Sequence, residues 1–223
     1  IRDRDYVWNT ISQNLFLLKQ YPEYIFNFEG AVKYAWMKEY YPAQYEEMKK
    51  FIESGRWHIS GASWDATDTL VPSIESAIRN IMLGQDYYRK EFGVESTDIF
   101  LPDCFGFGWT LPAIASHCGL IGFSSQKLQW RNKPFYGNDK YPFTVGLWQG
   151  IDGSTIMMTH GYDYNQRFED GDLSENKDLL ELTGHSPLHM VYRYYGTGDI
   201  GGSPTLESVR ACLLYTSPSP RDS

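Results

Sequence analysis

Asp103 is the carboxylate whose place in the sequence best suits chemistry. It follows the apolar residues 99–101 and Pro102, a pattern that predicts a short buried strand ending just before the aspartate. A glycine-containing turn comes next, and a helix is predicted to begin at Leu111. Strand, acidic turn and helix in this order present reactive groups at the carboxyl ends of strands in α/β sheets and barrels. A turn or capping role for Asp103 is the alternative.

The second candidate carboxylate is Asp199, in the segment YYGTGDIGGSPT. Residues 191–195 are apolar enough to predict a strand, and the glycines around the aspartate permit close approach of a ligand. Phosphate binding is the alternative for such a glycine-rich loop. The segment lacks the Lys-Ser/Thr pair of a P-loop and the strand–helix context of a dinucleotide site, so the motif alone defines no chemistry.

Trp64 lies in the polar loop WDATD, beside Asp65 and Asp68. Sugar-binding clefts use aromatic faces of this kind, so we predict that Trp64 and Asp68 contact a ligand. The alternative is an ordinary loop tryptophan followed by aspartates that form Asx-turns.

The elements that must position these residues alternate along the chain. Helices predicted from apolar spacing and from their end signals cover residues 2–21, 31–41, 42–54 and 73–92. Short strands are predicted at residues 24–28, 57–60 and 99–101. A hairpin with Asp152 and Gly153 at its tip joins two further strands, near residues 143–148 and 155–159. This alternation predicts an α/β domain, layered or barrel-like, with parallel strands and flanking helices.

The composition limits the possible partners. The 223 residues are 42% hydrophobic and 22% charged, which suits one globular domain with a sizeable core. A formal net charge of -8 argues against nucleic acid and against anionic membrane surfaces as partners. No apolar run approaches the length of a membrane span, so no membrane association is predicted.

The two ends of the sequence differ from its middle. Residues 212–223, CLLYTSPSPRDS, change abruptly in composition to Ser and Pro. They resemble the translated read-through of a sequencing adapter and are predicted to be a non-native, disordered tail. The sequence also begins at Ile1 without an initiator methionine. We therefore expect residues 1–211 to be a fragment of a larger domain, truncated at both ends.

The segment PDCFGFGW, residues 102–109, resembles the nucleophile motif of glycoside hydrolase family 38, the zinc-dependent α-mannosidases, in which an aspartate precedes x-F-G. Residues 55–68, 73–93 and 116–130 resemble further motifs of this family in the same order. The resemblance therefore covers most of the chain, up to about Arg210. It implies that the α/β fold is part of a (β/α) barrel-like catalytic domain.

This resemblance implies retaining hydrolysis of α-mannosidic bonds in mannose-containing oligosaccharides or glycoconjugates. Asp103 would be the nucleophile and also a ligand of Zn2+, and Asp199 would be the general acid/base. The two carboxyl groups would then lie roughly 5–5.5 Å apart. Lys127 matches a position where the family carries a basic residue near the nucleophile. The alternative is an exposed structural lysine. Substrate contacts are predicted for Phe105, Trp64, Asp68, Lys127 and Tyr162, with Tyr164 as the alternative to Tyr162.

The other zinc ligands that the resemblance implies are absent from the sequence. The family's HxD ligands would lie just before Ile1, and its last histidine ligand well after Ser223. The histidines in between are predicted to be structural. They are His58, His117, His160, His185 and His189. Because a zinc site needs three protein ligands or more, we expect this chain alone to be inactive.

Two functions of other classes remain as alternatives. A metal-dependent carbohydrate deacetylase would share the barrel type, but it needs a histidine-rich metal set. A non-catalytic carbohydrate-binding module would need exposed aromatic residues without paired acids. The separation and the exposure of the Asp103 and Asp199 carboxylates would discriminate between these functions and a glycosidase.

Overall fold

The computed structural model describes residues 2–127, 144–161, 176–198 and 200–216. Helices and short strands alternate through these residues, as predicted. The elements are α1 (Arg2–Gln20), β1 (Phe26–Phe28), α2 (Ala31–Tyr40), α3 (Pro42–Glu53), β2 (Trp57–Ile59), α4 (Ile74–Phe92), β3 (Asp98–Phe100), α5 (Leu111–His117), β4 (Gly122–Ser125), β5 (Val145–Gln149), β6 (Thr155–His160), α6 (Lys177–His185) and α7 (Leu206–Thr216).

The strands form two sheets within the described residues. β1 and β2 pair in parallel, with Phe26 opposite Trp57. The second sheet has the strand order β3-β4-β6-β5, in which β5 is antiparallel to β6 and the other neighbours are parallel. A hydrogen bond of 2.8 Å from the Ala62 N–H to the Asp98 carbonyl joins the two sheets. The mixed α/β fold with parallel strands is thus confirmed, and the described strands close no barrel.

Each sheet is covered by its own hydrophobic cluster. The first cluster lies between α1, α2, α3 and the β1–β2 pair, and it includes the fully buried Tyr34 and Trp57. The second cluster joins α4 and α5 to the larger sheet through Ile81, Ile114 and Phe123. Since helices pack against both sheets through these clusters, the ends of the strands are held in fixed positions.

Local signals set the bounds of α4. Ser73 caps its N-terminus by accepting a hydrogen bond of 3.2 Å from the Ser76 N–H. Gly93 ends the helix in the left-handed region, with a φ of 68°. Gly84 allows α4 to approach the loop after β2 so closely that an added Cβ would overlap the Ala62 carbonyl oxygen. α4 thereby fixes the start of the loop that follows β2.

The strand predicted at residues 191–195 is wrong, because these residues form no strand in the structure. The Tyr192 N–H donates instead to the hydroxyl of Thr144, at 2.7 Å. The side-chain hydroxyls of Tyr194 and Ser124 share a hydrogen bond that anchors the segment to β4. Tyr194 is buried, but a strand also needs a neighbouring backbone, and here the partner groups are side chains.

α7 crosses the predicted boundary between domain and tail, since this helix runs from Leu206 to Thr216. Residues 217–223 lie outside the described residues, so the division at residue 211 stays a prediction. Among the helices that the structure describes, none is both long enough and apolar enough to cross a lipid bilayer.

Candidate active site

Asp103 emerges at the carboxyl end of β3, in the turn that the sequence predicted. The Leu101 N–H donates to the Ser124 carbonyl at 2.9 Å, so the chain is tied to β4 until two residues before the aspartate. Pro102 has no N–H to donate and ends the pairing. The Asp103 side chain is 58% exposed and is therefore accessible to a ligand.

Lys127 is the ion-pair partner of Asp103. Its Nζ lies 2.7 Å from Asp103 Oδ1, although only 8% of the lysine side chain is exposed. The pair forms because β3 and β4 are parallel neighbours, with Phe100 opposite Ser124, and both residues follow these strands. A buried ammonium needs a charged partner, and this charge-assisted bond fixes the direction of the carboxylate. The structure therefore places Lys127 beside Asp103 and not on the exposed surface.

Phe105 adds an aromatic wall to this ion pair. Its side chain is exposed, and the centroid of its ring lies 5.0 Å from Lys127 Nζ. A cation near an aromatic face is attracted to it, so the two side chains hold each other in place. Phe105 and Lys127 thus lie near Asp103. Their predicted contacts with a substrate stay predictions. Tyr162, another predicted substrate contact, and its alternative Tyr164 lie outside the described residues.

Asp103 opens into a cleft with a volume of about 810 Å³. Binding sites for small molecules commonly have volumes of roughly 300–1,000 Å³. The walls of the cleft come from the ends of β1, β2 and β3, from α1, and from residues 192–198 and 201–204. Its lining includes Tyr6, Phe26, Phe28, His58 and Arg193. The mixture of aromatic and polar side chains suits a hydroxylated ligand.

α1 holds the glycine-rich loop at this cleft. The Gly202 N–H donates to Thr10 Oγ1 at 3.0 Å, and the Ser203 N–H donates to Gln13 Oε1 at 3.1 Å. Asn14 is fully buried, and its Nδ2 donates to the Gly202 carbonyl at 3.1 Å. A polar face of α1 therefore satisfies backbone groups of the loop, as buried backbone groups require.

The contact between α1 and this loop is close enough to require glycine. Gly201 has a φ of 69°, and a Cβ there would lie 2.5 Å from the Tyr6 carbonyl oxygen. Gly198 and Gly201 line the same cleft as Asp103. Asp199 itself lies outside the described residues. Its predicted role and its separation from Asp103 therefore stay predictions.

Trp64 and Asp68 have the surroundings that the structural alternative predicted. The Trp64 ring packs against the first hydrophobic cluster and meets Tyr87 with 5.8 Å between ring centroids. Asp68 Oδ1 accepts hydrogen bonds from the N–H groups of Leu70 and Val71, at 2.7 and 3.1 Å, in an Asx-type turn. Both side chains thus have structural partners, and their contacts with a substrate stay predictions.

The pKa of the Cys104 thiol is raised by burial and by the negative charges around it. Burial, together with the negative charges of Asp68, Asp103 and Glu29, raises the pKa of the Cys104 thiol to about 11.

Glu29 was not among the predicted site residues. It follows β1 as Asp103 follows β3, lines the same cleft and forms an ion pair with Lys33. The signal in the sequence was an acidic residue directly after the short strand FNF.

The described residues do not by themselves form the zinc site that the resemblance implies. In this part of the chain, no group of three or more His, Cys, Asp or Glu side chains could hold a metal ion. Asp103 has the right donor atoms for Zn2+, but zinc sites take at least three protein ligands. The side chain of His160 is fully buried in β6, in keeping with the structural role predicted for it.

Comparison with known proteins connects this site to a family. The profile "Glycosyl hydrolases family 38 N-terminal domain" matches residues 2–210. Alpha-mannosidase G of Dictyostelium discoideum is 35% identical over 212 residues, which cover 92% of this chain and 18% of that protein. Human alpha-mannosidase 2C1 is 30% identical over 204 residues, which cover 89% of this chain and 18% of that protein. The chain thus spans less than a fifth of the length of these relatives.

Solved structures share the fold. An alpha-mannosidase from Enterococcus faecalis V583 superposes with a TM-score of 0.67 at 18% identity, over 95% of this chain and 24% of that chain. A 4-alpha-glucanotransferase from Thermococcus litoralis has a TM-score of 0.65 at 15% identity, over 86% of this chain and 30% of that chain. At these identities the structures show the fold alone, and the sequence matches decide the family. The chain belongs to glycosyl hydrolase family 38, whose N-terminal domain it matches over residues 2–210.

Proposed function

We propose that this domain hydrolyses α-mannosidic bonds in mannose-containing oligosaccharides or glycoconjugates, with retention of configuration. The observation that carries the proposal is the Asp103 carboxylate, which Lys127 holds at the carboxyl end of β3 and which opens into the cleft. Retaining glycosidases need one carboxylate that is accessible and fixed in direction. The relatives named alpha-mannosidases indicate the sugar.

In the proposed mechanism Asp103 attacks the anomeric carbon, and the bond from that carbon to the leaving oxygen breaks. Asp199 donates its proton to the leaving oxygen. Water then attacks the anomeric carbon of the glycosyl-enzyme ester, Asp199 takes the water's proton, and the Asp103 carboxylate is released. Lys127 donates to Oδ1 of Asp103, so we assign the attack to Oδ2. The role of Lys127 is to keep that oxygen directed at the sugar.

The position of the glycine-rich loop supports the choice of Asp199. Gly198 and Gly201, on either side of this aspartate, line the cleft into which Asp103 opens.

We further propose that the two sheets are parts of one partial (β/α) barrel. The support is that β1, β2 and β3 are all followed by residues that line the cleft, which are Glu29, Ser60 and Asp103.

We propose Zn2+ as the cofactor, with Asp103 as one of its ligands, because residues 102–109 resemble the nucleophile motif of the zinc-dependent α-mannosidases of family 38. The other ligands are not among the described residues, and the mechanism above assigns no step to the metal. When bound, the ion would supply a fixed point that orients sugar hydroxyls. Among the described residues, Asp103 is the one to which we assign coordination of this ion.

A domain exchange tests the proposed function. Residues 2–210 replace the matching segment of the Dictyostelium discoideum alpha-mannosidase G, and hydrolysis of 4-nitrophenyl α-mannoside is measured. We expect activity with retention of anomeric configuration, and Asp103→Asn should lower kcat/KM at least about a thousandfold. Asp86→Asn, which changes an exposed aspartate on α4, is the matched control. Full activity of the Asp103→Asn enzyme would overturn the proposal, as would cleavage of an α-glucoside in place of the mannoside.

A further inference from the structure

A second group of carboxylate, lysine and phenylalanine lines the cleft, at the end of β1. Lys33 Nζ bonds to Glu29 Oε1, and it lies 5.7 Å from the centroid of the Phe28 ring. Asp103 has the same kind of partners at the end of β3. All members of the β1 group, and Asp103 itself, line the same cleft. The two groups thus present two carboxylates to one ligand-sized space.

The backbone around Glu29 and Lys33 is shaped to hold them. Gly61 has a φ of 73°, and a Cβ there would lie 3.0 Å from Glu29 Cβ and 3.3 Å from Phe100 Cβ. Gly30 has a φ of 85°, and a Cβ there would lie 3.1 Å from Lys33 Nζ. As a result the side chains of Lys33 and Glu29 are only 21% and 15% exposed. A charged pair this well enclosed costs desolvation free energy that an exposed pair avoids.

The enclosed pair keeps hydrogen-bonding capacity for a ligand. Among the described residues, Lys33 is the one hydrogen-bond partner of the Glu29 carboxylate, which has further acceptor sites. The Lys33 ammonium likewise has further N–H donors. A sugar hydroxyl both donates and accepts, so two neighbouring hydroxyls can bond to Glu29 and Lys33 at once. The Phe28 ring offers an apolar surface beside them.

The charges of the cleft disfavour other ligands. Glu29 and Asp103 are balanced in the lining by Lys33 and Arg193, and an anion such as phosphate at Lys33 would lie next to the Glu29 carboxylate and would be repelled. A metal ion needs at least three protein ligands, and among the described residues no group of three His, Cys, Asp or Glu side chains that could hold one includes Glu29. A neutral polyhydroxylated ligand meets neither conflict.

We propose that Glu29 and Lys33 bind two neighbouring hydroxyls of a neutral sugar unit in the cleft that Asp103 lines. Glu29 accepts from one hydroxyl and Lys33 donates to the other, while Phe28 packs against the ring of the sugar. The inference rests on the proposed function for the identity of the sugar as mannose. The chemical class of the ligand, a neutral sugar, is inferred independently of the proposed function.

The test measures, by NMR titration, the affinity of the 223-residue chain for two disaccharides, an α-linked mannobiose and maltose. We expect Glu29→Gln to weaken binding about tenfold, which corresponds to about 1.4 kcal/mol. Lys33→Met is the second variant and should weaken binding similarly. Glu75→Gln is the matched control, because it removes an exposed ion pair of the same i,i+4 spacing on α4. Circular dichroism of each variant confirms that it is folded.

The outcomes separate this inference from the proposed function. If mannobiose binds equally well to the wild type and to folded Glu29→Gln and Lys33→Met chains, the inference is overturned and the proposed function stands. If maltose binds in a Glu29-dependent way and mannobiose does not, the inference stands and the proposed substrate fails. If neither disaccharide binds to the folded chain, the inference is overturned.

Discussion

The ion pair between Lys127 and Asp103 joins two residues with unequal surroundings. The lysine is buried and the aspartate is largely exposed, so the lysine bears most of the desolvation cost of the pair. Replacement of Lys127 by Met removes a buried charge and keeps a side chain of similar length. The remaining Asp103 carboxylate is exposed and can be hydrated by water. Stability should therefore depend little on this lysine, whereas the direction of the carboxylate should depend on it strongly.

We expect Lys127→Met to lower kcat/KM of the domain-exchanged enzyme for 4-nitrophenyl α-mannoside by about ten- to a hundredfold, because a misdirected nucleophile loses the advantage of orientation. The midpoint of thermal unfolding should shift by no more than about 4 °C. Lys90→Met breaks an exposed ion pair with Asp86 and should change neither quantity. Equal kcat/KM in the two variants would show that the lysine does not orient Asp103.

Local signals explain which site residues could be predicted. Asp103 stands between an apolar run and a glycine turn, and both signals lie within a few residues of it. The burial of Lys127 depends on the pairing of β3 with β4, which no local pattern specifies. Trp64 looked like an exposed loop residue because the sequence does not show that its loop packs against α4. Glu29 was missed although the strand predicted at residues 24–28 ends directly before it, because the sequence does not show that the ends of β1 and β3 line one cleft.

At the scale of elements, Gly84 shows how packing overrides helix propensity. Glycine in the middle of a helix costs about 1 kcal/mol relative to alanine. In α4, however, an added Cβ would overlap the Ala62 carbonyl oxygen and the Ser63 carbonyl carbon. These atoms belong to the backbone just after β2, so they cannot move without displacing the loop that starts there. The position of α4 over the sheets therefore depends on the missing side chain.

We expect Gly84→Ala to lower the free energy of unfolding by about 2 kcal/mol or more, because overpacking outweighs the gain in helix propensity. Gly184→Ala in α6 is the control, since an added Cβ there meets no atom within 4 Å. It should raise the free energy of unfolding by about 0.5 kcal/mol. Urea denaturation measures both. A stabilised Gly84→Ala chain would contradict the close contact between α4 and the loop.

Helix bounds were predictable to within a few residues, and strand bounds were less so. The helix predicted at residues 2–21 is found at Arg2–Gln20, and the one predicted at 73–92 is found at Ile74–Phe92. The strand predicted at residues 24–28 is only Phe26–Phe28. Helix ends are set by nearby caps and by glycine, whereas a strand extends only as far as its neighbour pairs with it. Residues 191–195 failed as a strand for the same reason.

At the scale of the whole molecule, the cleft is built by segments that lie far apart in sequence. The hydrogen bond between Gly202 and Thr10 spans 192 positions of the chain. Neither the pattern of α1 nor the glycine-rich motif predicts that they meet. The sequence therefore predicted the helix and the glycine-rich loop, but not their association. This contact matters because the loop carries the proposed acid/base residue, Asp199.

Thr10→Val tests whether α1 holds the loop, because valine has a similar shape and lacks the Oγ1 that accepts from Gly202. We expect the Gly202 amide to exchange with deuterium at least about tenfold faster, since one hydrogen bond no longer opposes local opening. The Ser60 amide, which donates to the Phe28 carbonyl between β1 and β2, should keep its rate. Thr183→Val in α6 is the matched control and should leave Gly202 unchanged. Unaltered exchange of Gly202 in Thr10→Val would contradict the role of Thr10, and the contact of α1 with the loop would then rest on Gln13 and Asn14.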